Sequence, residues 1–120
     1  IGVNTFARAY PSYRIPGDLY AEVGPYAHNQ YLHLAAELGL AGLAVFLAVV
    51  GRLFLAVHRC VGRGSASSFE AVVSAGLGAG LLGYLILGAL ESSLFYGRGS
   101  MTFWFLAGLI MAIERVRGPR

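Results

Sequence analysis

The sequence predicts an all-α polytopic membrane protein: about three transmembrane helices, preceded by an outward-facing loop segment that carries an interfacial helix. Three observations predict it. Of 120 residues, 57% are hydrophobic and only 12% charged, about half the charge of an ordinary soluble domain. Apolar runs near 38–57, 71–90 and 100–114 approach the length needed to cross a bilayer. The segments between them are short and polar, as connectors should be.

Residues 1–37 form the first unit. Pro11, Pro16, Gly17, Gly24 and Pro25 punctuate its first part and predict turns there. Tyr10, Tyr13, Tyr20 and Tyr26 give that part the character of a membrane–water boundary, where a ring is half immersed and its hydroxyl stays wet. A loop packed on the rest of its protein accounts for the same residues. From His28 onward, Leu32, Ala35, Leu38 and Leu43 follow at helical spacing.

Residues 38–120 form the second unit. The first span, Leu38 to Val57, gives ~30 Å at ~1.5 Å per residue. Arg52 interrupts it, and snorkelling of the long side chain to the headgroups is the expected explanation. Pairing with a helix outside this chain is the sharper one. A basic connector from His58 to Ser65 follows, then the second span, Ala71 to Leu90. Gly76 and Gly80 within it form a small-xxx-small pair, expected to serve helix packing inside the protein. A polar turn from Glu91 to Gly99 precedes the third span. That span centres on Met101 to Ile113 and is short unless it takes in Ser100 and Glu114.

All nine basic residues are arginine and the net charge is +3. Arg59, Arg63, Arg115, Arg117 and Arg120 fall on one side of the predicted spans, which the positive-inside rule assigns to the cytoplasm. The His28 segment, Glu91 and Arg98 then face outward. The arginines form no single patch with interleaved aromatics, so no nucleic-acid partner is expected. Cys60 is the one cysteine, which rules out an internal disulfide and a cysteine-based zinc site. The glycines from Gly76 to Gly83 have no lysine after them and make no phosphate loop. The start at Ile1, with nothing resembling a signal peptide, reads as a piece of a longer protein.

The residues that carry chemistry gather just before the first span. His28, with the amides Asn29 and Gln30 beside it, suits a general base acting on a hydroxyl of a sugar or phosphate ligand. A plain helix cap by His28 or Asn29 accounts for the same spacing equally well. Asn29, His33 and Glu37 recur every four residues and share a helical face. Read as a metal pair, His33 and Glu37 lack a third ligand, so a solvated or interfacial stripe is expected and no metal. Glu91 and Arg98 return to the same surface, to line a common cavity or pair with each other. Ser92 and Ser93 lack a nucleophile elbow.

The run from His28 to Leu43, His-Asn-Gln-Tyr-Leu-His-Leu-Ala-Ala-Glu-Leu-Gly-Leu-Ala-Gly-Leu, resembles the signature of the O-antigen ligase/polymerase superfamily. The opening Ile1 to Phe6 resembles the end of that family's glycine-containing motif, and the Leu94-Phe95 turn with its closing helix fits the family's C-terminal end. The resemblance implies a bacterial inner-membrane glycosyltransferase, of which this chain is the C-terminal part and inactive alone. Such an enzyme moves a glycan from undecaprenyl diphosphate to a glycan, lipid or protein hydroxyl on the periplasmic side, without cofactor or metal. It implies that His28 is the essential histidine and that Asn29, Gln30 and Tyr31 neighbour the substrate. Arginines that hold the carrier diphosphate lie mainly upstream in the family; Arg14 and Arg8 are the candidates here, neither within a motif. A transporter or scaffold segment, with an interfacial helix at His28 and no chemistry, is the competing expectation.

Overall fold

The computed structural model describes residues 2–13, 17, 27–62, 68–95 and 97–118. Among these residues there are four α-helices: α1 (Phe6–Ala9), α2 (Gln30–Gly62), α3 (Phe69–Leu87) and α4 (Gly97–Arg117). Short 3-10 turns occupy Tyr10–Tyr13 and Ser93–Phe95. No strand forms among the described residues, and α2, α3 and α4 are each long and apolar enough to cross a membrane.

The long helix is two pieces. Gly39 has φ 71 and ψ 180, a backbone region open essentially to glycine alone. It separates an arm at 30–38, about 13 Å long, from a spanning segment at 40–62, about 34 Å long. The spanning segment continues past the expected end at Val57 because Cys60 is buried and Arg59 finds a partner on α4. The expected basic connector is therefore helical as far as Gly62.

Helix α3 begins at a cap: the Ser68 hydroxyl accepts from Ala71 N–H at 3.3 Å. It ends at Leu87, before the expected Leu90, because Gly88 and the two residues after it turn away. Helix α4 starts at Gly97, several residues earlier than expected. The start of α2 meets the end of α3 at Tyr31 and Leu85, Val57 late in α2 meets Gly78 midway along α3, and Arg52 meets Glu114 near the end of α4, which sets an up-down-up order with α3 antiparallel.

The core between the three helices is built from Phe46, Leu53, Leu81, Phe103 and Ile110 with their neighbours. Phe103 carries its centre, its ring 5.6 Å from both Phe46 and Tyr84. The glycine that admits a close approach is Gly78, whose added Cβ would lie 2.9 Å from Val57 Cγ1. Gly76 and Gly80 are exposed instead; a Cβ at Gly76 would meet no atom within 4 Å, and one at Gly80 only Leu106 Cδ2, at 4.0 Å. The small-xxx-small pair is thus not what packs the helices within this chain; the buried stripe Ala71, Ser74, Gly78 and Leu81 takes that role.

Candidate functional site

The arm of α2 meets the end of α3, and each terminus supplies what the other lacks. A helix start leaves backbone N–H groups unbonded and a helix end leaves C=O groups unbonded. Gln30 N–H donates to Gly88 O at 2.8 Å. The Asn29 amide donates to Ala89 O at 3.1 Å, and its Oδ1 accepts from Tyr31 N–H and Leu32 N–H, both at 3.0 Å. Tyr31 donates its hydroxyl to Leu85 O at 2.7 Å. Near a bilayer, where water is scarce, reciprocal capping of this kind satisfies groups that would otherwise cost on the order of several kcal/mol each.

His28 sits just outside that junction. Its φ of 45 places it in the left-handed region, uncommon for a side chain of this size. Its Nδ1 lies 3.6 Å from Glu91 Oε2, and both side chains are about half exposed, 59% and 49%. Among the described residues Nε2 has no partner. Glu91 therefore pairs with His28 rather than with Arg98, whose backbone carbonyl accepts from the Thr102 hydroxyl.

The four predicted residues within 28–31 are thus brought together but face different ways. Asn29 is the helix cap. Gln30 is fully buried, and Gly88 lies so close that a Cβ there would collide with its amide. Tyr31 is half-buried and packs toward Phe46. Arg14, the fifth, lies outside the described residues, and Arg8 is exposed on α1.

The His33–Glu37 pair departs from the expected solvated stripe: both residues are buried, at 4% and 6% exposure. His33 Nε2 lies 3.4 Å from Glu37 Oε1. Its ring stacks on Phe95 at 3.6 Å between centroids and lies 4.8 Å from Phe6. The Glu37 oxygens accept Asn4 N–H at 2.7 Å and Phe6 N–H at 3.0 Å, so this carboxylate fastens the start of the chain to the arm. Sequence reasoning missed the Phe6–His33–Phe95 sandwich, because its members are far apart and no local periodicity links them.

Buried polar atoms remain beneath the junction. The Gln30 amide, His33 Nδ1 and Ser92 Oγ have no hydrogen-bond partner among the described residues. Among the described residues, no group of three or more histidine, cysteine, aspartate or glutamate side chains gathers as a metal site would require. At the opposite end, Arg52 Nη2 lies 2.6 Å from Glu114 Oε2, and Arg59 Nη1 lies 3.4 Å from Oε1. Arg52 therefore has a partner within this chain, on α4, where the sharper expectation had one on a helix outside it. No family model matches the chain, and comparison with curated proteins and with solved structures likewise finds no match.

Proposed function

We propose that this chain is the C-terminal part of a membrane glycan ligase or polymerase, transferring a glycan from undecaprenyl diphosphate to an acceptor hydroxyl. The observation that carries the reading is the His28–Glu91 pair, 3.6 Å apart at the exposed end of the bundle. At 3.6 Å the Glu91 carboxylate is beyond hydrogen-bond length but close enough to favour a positive charge on the ring, and Nε2 faces away from it to accept a proton. In the proposed step the acceptor hydroxyl gives its proton to His28 Nε2 and its oxygen attacks the anomeric carbon. The bond from that carbon to the carrier phosphate breaks, and undecaprenyl diphosphate leaves with the electron pair. Glu91 stabilises the imidazolium that forms.

Asn29 caps the helix next to His28 and ties it to Ala89 O, so its amide lies beside the site. Gln30 and Tyr31 act on this reading as supports, since their side chains point into helix packing. Arg14 remains the candidate for the carrier diphosphate. The arginine-rich end lies in the cytoplasm of a bacterial inner membrane and the His28 end in the periplasm, on the positive-inside rule.

The left-handed backbone at His28 supports this reading over a passive interfacial helix, because strained residues concentrate where geometry is used. The test is His28→Ala in the full-length membrane protein, supplied with purified lipid-linked glycan and acceptor. Transfer should fall at least about 100-fold, the ordinary contribution of a general base, with insertion intact. Retained transfer removes His28 from the mechanism.

A further inference from the structure

A second feature of the molecule lies at its other end and is independent of glycan transfer. Between α2 and α4 runs an open groove of about 590 Å³. Val49 and Leu53 line it from α2, and Trp104, Gly108 and Met111 line it from α4. Among the described residues, Arg52 is the one charged residue that lines it. Arg52 and Arg59 share the single carboxylate of Glu114, so this cluster carries one positive charge in excess. Glu114 is the inner member, its side chain 13% exposed, while the arginines are 44% and 47% exposed. The Arg59 contact is long, and each guanidinium keeps further N–H donors directed away from Glu114.

We propose that this groove holds an acyl chain of an anionic phospholipid whose phosphate rests against Arg59 and Arg52. Charge complementarity selects the occupant. Hydrocarbon gains little by moving from a bilayer into an equally apolar groove, so the groove accepts any chain and the headgroup provides the preference. Two arginines around one glutamate leave a site for one more anion, and planar guanidinium groups match phosphate oxygens. Arg59 lies seven positions beyond Arg52 on α2, about 10 Å toward the end of the helix. A phosphate bound there sits above the groove, and its chain descends past Arg52 toward Trp104.

Trp104 is the single tryptophan of these 120 residues and lines the groove, so in the full-length protein, with any tryptophan outside this sequence replaced by phenylalanine, its fluorescence reports what occupies the groove. The protein is reconstituted in mixed phosphatidylcholine and phosphatidylglycerol bilayers, with bromine on the acyl chains of one lipid at a time. Brominated phosphatidylglycerol should quench Trp104 at a mole fraction several-fold lower than brominated phosphatidylcholine. Arg59→Gln should reduce that preference about fivefold, as expected for one arginine near an anionic lipid. The Arg52→Gln, Arg59→Gln double variant removes both guanidinium groups and should abolish it. Gly108→Leu fills the groove without touching the charges and should reduce quenching by both lipids; undiminished quenching places the chains elsewhere and overturns the proposal. Equal quenching by both lipids in the unaltered protein overturns it, as does a preference that the arginine variants leave intact. Absence of quenching by either lipid means that protein covers the groove, which overturns it as well.

Discussion

The two ends of the helix bundle solve the same problem, polar groups at the edge of an apolar body, with different materials. At the arginine end, Arg52 and Arg59 reach one carboxylate on long, flexible stems and stay nearly half exposed. At the histidine end the side chains are short, and the backbone itself is shaped around them. Gly39 breaks the helix, His28 turns left-handed, Gly88 clears space for Gln30, and Glu37 binds two backbone N–H groups. A long side chain adjusts to its partner, whereas a short one must be delivered to it. The first arrangement suits anchoring; the second suits a site where geometry matters.

The largest expected break in this contrast is Gly39→Ala. No atom lies within 4 Å of the added Cβ, so the cost is conformational, about 1–3 kcal/mol for the strained backbone. The helix should straighten at residue 39 and carry His33 and Glu37 away from Phe6 and Phe95. Loss of protection at residues 30–38 in hydrogen exchange, with the core near Phe103 unchanged, is the expected result. An unaltered exchange pattern would mean that the break is not needed to form the histidine end.

Next comes Glu37→Gln. One carboxylate oxygen becomes an NH2 group facing a backbone N–H, which leaves Asn4 or Phe6 without its acceptor. The penalty for such a group is about 1–3 kcal/mol, felt at residues 2–13 above all. Proteolysis should therefore cut within 2–13 faster than in the unaltered protein, while α3 and α4 resist equally. If cleavage is unchanged, the fastening of the chain start does not depend on Glu37.

Much of the arginine end and of the bundle was legible in the sequence, and the reasons are physical. Apolar runs bounded by polar turns reveal spans because the bilayer imposes a length. The placement of Arg59 and Arg115 at one end follows from connector order alone. The Gly39 break was hidden, since a glycine in an apolar run reads equally as packing, and only φ distinguishes the two. The Arg52–Glu114 pair was hidden because the two residues lie 62 positions apart. Among the candidate residues, His28 and Asn29 stand at the junction where their spacing placed them. The inward turn of Gln30 and Tyr31 depends on α3, which local reasoning cannot see.

Glu114→Gln addresses the arginine end and should cost less. Polar contacts between membrane helices contribute on the order of 1 kcal/mol, and Arg52 can snorkel once its partner is neutral. Unfolding in mixed micelles should show a drop of that size. A loss as large as that of Gly39→Ala would erase the distinction between adjustable and delivered side chains.

The smallest effect is expected from Tyr31→Phe, and it sharpens the comparison most finely. Leu85 O sits at the end of α3, where Ala89 N–H turns instead to Ile86 O at 3.0 Å. The Tyr31 hydroxyl supplies a donor to Leu85 O at 2.7 Å, so its removal costs about 0.5–1.5 kcal/mol. Phe keeps the ring against Phe46, so packing alone predicts no change in stability. A loss within that range assigns Tyr31 a share in joining the two helix termini. No loss would mean that water reaches Leu85 O, and that the histidine end is wetter and more adjustable than its backbone geometry implies.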